Sequence, residues 1–163
     1  LVCSPVIQDP SFEISGASSV SSDWTIATLQ GSASADNYNM GKPIIRTTQN
    51  VAHSGSYIYI IITNSIVAEN FTLQYLHPIS LCVGVAYEVG LWARVSRSGV
   101  WSPGCRVVGY LGEFQVFSDL ISEADQTYRY IGGTFTPATD MPAASFKIVA
   151  VCPVAQRNLR GVM

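Results

Sequence analysis

An all-β fold of two antiparallel sheets is what this sequence predicts, on three observations. Short runs rich in Val, Ile, Thr, Tyr, Phe and Trp recur at close spacing, each bounded by Gly, Pro, Asn or Ser. Helical periodicity is nearly absent, and only "SDLISEADQT" (118–127) carries a pattern suited to a helical turn. The composition, 48% apolar and 12% charged, has about half the usual share of charge, the inverse of what a disordered chain shows. At 163 residues the chain is long enough to bury a full core as one domain.

The strands are read in order. "WTIATLQG" (24–31), "KPIIRTT" (42–48), "SYIYIIIT" (56–63) and "FTLQYL" (71–76) come first. "AYEVGLWARVS" (86–96), "CRVVGYLG" (105–112), "EFQVFSD" (113–119), "QTYRYIGGTFT" (126–136) and "ASFKIVAVC" (144–152) follow. About nine strands in one domain, residues 1–163, point to a two-sheet β-sandwich of jelly-roll type. No internal repeat or linker divides the chain. "IGG" (131–133) falls inside a strand, where it is expected to mark a bulge rather than a phosphate-cradling loop.

Charge and hydropathy exclude several classes of partner. The net charge is −2, and Lys and Arg are scattered singly, so neither nucleic acid nor an anionic membrane surface has a basic face to meet. The longest apolar run, "YIYIII" (57–62), is too short to span a bilayer as a helix. No charged n-region followed by an apolar h-region opens the sequence. An exported form is therefore expected to have lost its signal peptide, and a domain excised from a larger protein fits equally well. Oligomeric state is not legible.

Cys3, Cys82, Cys105 and Cys152 are widely spaced, and neither His53 nor His77 is placed with them as a zinc ligand would be. In a Ser/Thr/Gly-rich chain this reads as two disulfides formed in an oxidising compartment, hence secretion. Four buried thiols are the alternative. The acceptor triplet Asn70-Phe71-Thr72 adds weak support for export.

The clearest alternation runs over 87–96. Tyr87, Val89, Leu91, Ala93 and Val95 share one face, as a core-facing set should. Glu88, Gly90, Trp92, Arg94 and Ser96 share the other. An indole beside a carboxylate and a guanidinium suits a sugar ring, stacked on the apolar face and read at its hydroxyls. The competing reading buries Trp92 under a loop.

Catalytic patterns are missing. No G-x-S-x-G is present, and Ser54 beside His53 lies on a turn rather than on a strand-to-helix elbow. His53 and His77 read as turn or strand-end histidines without an oriented partner. A glycosidase pair stays open if Glu88 and Glu113 lie on neighbouring strands, but it is disfavoured for want of any sign of a raised carboxyl pKa or a deep cleft.

In order, "DPSFE" (9–13), Trp24, "VAHSGSYIYI" (51–60), the Gln of "FTLQYL", "AYEVGLWARV" and "YIGGTFTP" (130–137) make a familiar series. It resembles the CenC-type carbohydrate-binding modules, especially secreted fungal versions, across nearly the whole chain. The resemblance implies a jelly-roll sandwich, no catalysis, and polysaccharide binding on a sheet face or at loop tips. By position, it implies that Phe12 and Trp24 are structural, that Gln74 hydrogen-bonds hydroxyls, that Trp92 stacks, and that Arg94 donates from a planar group. Glu88, Tyr110 and Trp101, the last in "SRSGVWSPG" (96–104), complete the expected ligand-binding set.

Cys105 and Cys152 match cysteine-bearing strands of the fungal versions. Of three connectivities, Cys3–Cys152 with Cys82–Cys105 is expected, tying terminal strands that lie side by side in such sandwiches. Many members also hold a structural Ca²⁺ through the opening Glu and a late Asp. Here Glu13 is present, but Gly161 stands where the Asp is expected, so calcium is disfavoured and no other cofactor is expected. The expected function is therefore secreted, non-catalytic binding of a polysaccharide or glycan. A protein-interaction or adhesion sandwich without sugar binding is the alternative.

Overall fold

The computed structural model describes residues 3, 7, 23–30, 44–47, 57–60, 69–94, 104–122 and 127–152. Among them are eleven strands and no helix. The strands are β1 (Trp24–Gln30), β2 (Ile44–Thr47), β3 (Tyr57–Ile60), β4 (Glu69–Tyr75), β5 (Ile79–Leu81), β6 (Tyr87–Ala93), β7 (Cys105–Leu111), β8 (Phe114–Ile121), β9 (Arg129–Phe135), β10 (Met141–Ala144) and β11 (Phe146–Cys152). Each segment read from the sequence overlaps one of them, with β4 starting two residues before its segment and β8 ending two residues after it, and β5 and β10 are additional. These two, "ISL" and "MPAA", are short and pair only with each other.

The expected helical turn is not found where the chain is described. Residues 118–121 extend β8, because Ile121 is buried against Ile131 of β9 and Asp119 is held by Arg129. Tertiary contacts thus decide a stretch whose local pattern was ambiguous.

Every pairing is antiparallel. Five strands form one sheet in the order β1-β4-β11-β7-β8, while β6–β9, β2–β3 and β5–β10 form two-stranded ribbons. The alternation over 87–93 has the predicted consequence. Tyr87, Val89, Leu91 and Ala93 join the same apolar clusters as Leu73, Ile148, Val107 and Phe117 of the five-stranded sheet. Trp24 anchors the larger cluster, its ring 5.1 Å from that of Tyr75 and 5.8 Å from that of Phe146. Burial of such aromatic side chains supplies much of the stabilisation in a fold with this little charge.

The bulge expected at 131–133 is absent. The β6–β9 register runs unbroken from Tyr87↔Phe135 to Ala93↔Arg129. A register shift falls instead between β7 and β8, where Gly109 pairs with Phe117 and Tyr110 with Gln115. Val116 and Phe117 then both turn to the core. The Phe117 ring lies on Gly109, where an added Cβ would come within 2.7 Å of several ring atoms.

The disulfide pairing also departs from expectation. Cys3 bonds to Cys82, with Cα atoms 5.7 Å apart, so neither Cys3–Cys152 nor Cys82–Cys105 forms. Cys105 is disulfide-bonded as well. The reason lies in register. β7 and β11 pair as far as Arg106↔Val151, and the next step places Cys105 opposite Cys152.

Candidate functional site

The outer face of the β6–β9 ribbon collects the richest set of chemical groups among the described residues. Alternation places Glu88, Gly90, Trp92 and Arg94 there from β6 and its end. Register then adds Thr134, Gly132, Tyr130 and, one step beyond the strand, Tyr128 from the β9 side. Trp92 is 49% exposed, so it is not buried under a loop, and Tyr130 is 38% exposed. Their rings lie 5.5 Å apart at 57°. Arg94 holds its guanidinium 5.1 Å over the ring of Tyr128, a cation–π contact.

Two glycines explain how Tyr130 is posed. A Cβ built on Gly132 would lie 2.7 Å from the Tyr130 hydroxyl, and one on Gly90 would meet the same end of that ring. Both positions must therefore lack side chains for Tyr130 to lie across the ribbon. Its hydroxyl, set down on the strands, donates a hydrogen bond to Glu88. Burial of that hydroxyl raises the phenol above its ordinary value, and the hydrogen bond and the charge of Glu88 raise it further. The phenol stays protonated and fixed, with the outer side of the ring open.

The expected site residues thus divide. Trp92, Arg94 and Glu88 share the ribbon face. Gln74 and Tyr110 do not join them, because they project from the five-stranded sheet on the side opposite Leu73, Tyr75 and Leu111 of the core. There Lys147 pairs with both, Gln74 on β4 and Tyr110 on β7, and its ammonium sits 5.2 Å from the Tyr110 ring centre. Trp101, Glu13, Phe12, His53 and Ser54 lie outside the described residues. No group of three His, Cys, Asp or Glu converges on a metal position among the described residues. No helix among them is long and apolar enough to cross a membrane.

Tyr128 and Tyr130 were not singled out from the sequence. The signal was present in "QTYRYIGG", where Tyr128, Tyr130 and Gly132 alternate as Glu88, Gly90 and Trp92 do. It becomes legible only once the two strands are paired.

Glu88 and Glu113 are not on neighbouring strands. Glu88 is on β6, which pairs with β9, whereas Glu113 sits in the turn joining β7 to β8. His77 does follow a strand, but it has an oriented partner, the buried Asp23, whose Oδ1 is 2.7 Å from its Nε2. The backbone oxygen of Asp23 also accepts the Leu76 N–H at 2.8 Å. Together these bonds fasten the start of β1 to the end of β4. The Asn70 triplet begins within β4, paired on both sides, rather than on a loop.

A hollow of about 320 Å³ opens between β5 and β6, bordered by Glu88 and Gly90. Ile7, Ile79, Leu81, Val89 and Leu111 supply most of its wall, so it offers few partners to a hydroxylated ligand. No family model matches the chain, and neither a curated protein nor a solved structure matches it.

Proposed function

We propose that this chain is a non-catalytic carbohydrate-binding module, secreted and built as a two-sheet jelly-roll sandwich, with the outer face of β6–β9 as its binding surface. The observation that carries the reading is Tyr130 lying across two glycines beside half-exposed Trp92. An aromatic ring held flat on a sheet, with its outer side in solvent, offers a stacking surface that needs no ordering on binding. Glu88 and Arg94 flank it as acceptor and donor for ring hydroxyls. The order of sequence pieces shared with CenC-type modules supports the same reading, as does the disulfide for an oxidising compartment.

Retention on insoluble polysaccharides and on a glycan array tests it. Trp92→Ala and Tyr130→Ala are each expected to weaken binding roughly tenfold, which corresponds to about 1.4 kcal/mol, with folding intact by circular dichroism. Undiminished binding by both variants removes this face as the site. The adhesion alternative rests on Val83 and Val85, exposed side by side in the turn after β5. It gains if no glycan is retained and a protein partner is captured through that turn.

A further inference from the structure

We infer that the sugar taken on this face carries a free amino group, seated as an ammonium against Glu88 and the Tyr130 ring. The inference rests on the carbohydrate-binding reading and names the class of glycan. Glu88 is exposed, and among the described residues its carboxylate forms no ion pair with Lys, Arg or His. One hydrogen bond from the Tyr130 hydroxyl leaves it most of its acceptor capacity. The Tyr130 hydroxyl lies over Gly90, the next position on the same face of β6, so Glu88 stands at the hydroxyl end of a ring that is itself paired with Trp92 at 57°.

Two inclined rings with a carboxylate at their margin make a cation-accepting corner, since the ring faces and the carboxylate attract the same positive group. A neutral hydroxyl needs neither the charge nor the tilt. The guanidinium on this face does not cancel the effect. Arg94 is six residues from Glu88 along β6, about 20 Å at 3.4 Å per residue, beyond a physiological screening length of about 8 Å. Its own cation is already over Tyr128. The net charge of −2 adds a field that favours the approach of a cationic chain.

Binding of the whole chain to chitin and to its de-N-acetylated form, chitosan, at matched chain length tests the inference, with Glu88→Gln as the variant. The wild type is expected to bind chitosan about tenfold more tightly than chitin, with the preference shrinking as salt is raised. Glu88→Gln is expected to abolish the preference, because it removes the charge while glutamine still accepts from the Tyr130 hydroxyl. Equal binding to the two polymers, or a preference that survives Glu88→Gln, overturns the inference. If that outcome comes with binding sensitive to Trp92→Ala, sugar recognition stands and the amine alone is lost. If no glycan of either kind is retained, both readings fall.

Discussion

Tyr130 is the residue on which the candidate site turns, and its titration reports its pose. Burial lifts the phenol above the ordinary value of about 10, with the Glu88 hydrogen bond and charge adding to the effect. A group whose folded value is raised contributes stability that is complete below the unfolded value and is lost as pH rises through the folded one. An alkaline absorbance titration should therefore show a delayed tyrosine transition that is absent in Tyr130→Phe. Glu88→Gln should bring that transition down without making it normal, because burial remains. A wild-type titration in which no tyrosine is delayed contradicts the pose. Trp92, Arg94 and Glu88 were legible because alternation within one strand is enough to place them on a face. Tyr130 was not, since its neighbours Glu88 and Gly90 belong to another strand, 40 residues or so away.

The β6–β9 ribbon shows how three glycines at the element scale do different work. Gly132 clears space for the movable end of a side chain and Gly90 for that end and for the Ile131 carbonyl oxygen, whereas a Cβ at Gly133 would run into the carbonyl oxygen of Val116 on β8. Gly133→Ala must push two strands apart and is expected to cost about 1–3 kcal/mol, read as a lower midpoint in denaturant. Gly132→Ala should cost less stability, since the Tyr130 ring can swing away, yet weaken glycan retention. The same ribbon is tied to β8 by Arg129, which donates to Asp119 at 2.6 Å and to the Leu120 carbonyl at 2.5 Å. The Arg129 hydrogen bond, helped by the Leu120 N–H and the nearby arginine charges, holds the Asp119 carboxyl below its ordinary value. A depressed carboxylate contributes stability above the unfolded value that is lost as pH falls through the folded one. Asp119→Asn should thus be less stable than wild type near neutrality by about 0.5 kcal/mol, typical of an exposed pair, with the gap closing as pH falls through the lowered Asp119 value. A gap unchanged in acid would assign the loss to something other than ionisation. Strand existence was readable throughout because β-branched and aromatic runs mark it, but β5 and β10 lack such runs and owe their form to each other.

For the whole molecule, the cross-links decide how firmly the start of the chain is fixed to the rest. Spacing alone leaves three connectivities open, and which one forms depends on strand register, a property of the assembled sheet. Cys3 is bonded to Cys82, closing a separation of 79 residues, at the turn where β5 ends and where the Cys82 N–H donates to the Tyr87 hydroxyl at 2.8 Å. That turn is held further by the Gly84 N–H on the Pro137 carbonyl and by the Val83 N–H on Asp140. Gly84 adopts φ 72°, which a side chain would resist. The bridge therefore joins a site already rigid in the folded state, and its effect falls mainly on the unfolded chain. A loop of this length predicts about 4.5 kcal/mol by chain entropy. Cys3→Ser is expected to lose a large part of that, measured by denaturant unfolding, with little change in glycan retention because the β6–β9 face does not include the bridge. Non-reducing peptide mapping should return Cys3 with Cys82 and Cys105 with Cys152. A Cys82–Cys105 peptide would mean that β7 and β11 do not hold the register described, and the five-stranded sheet itself would then have to be redrawn.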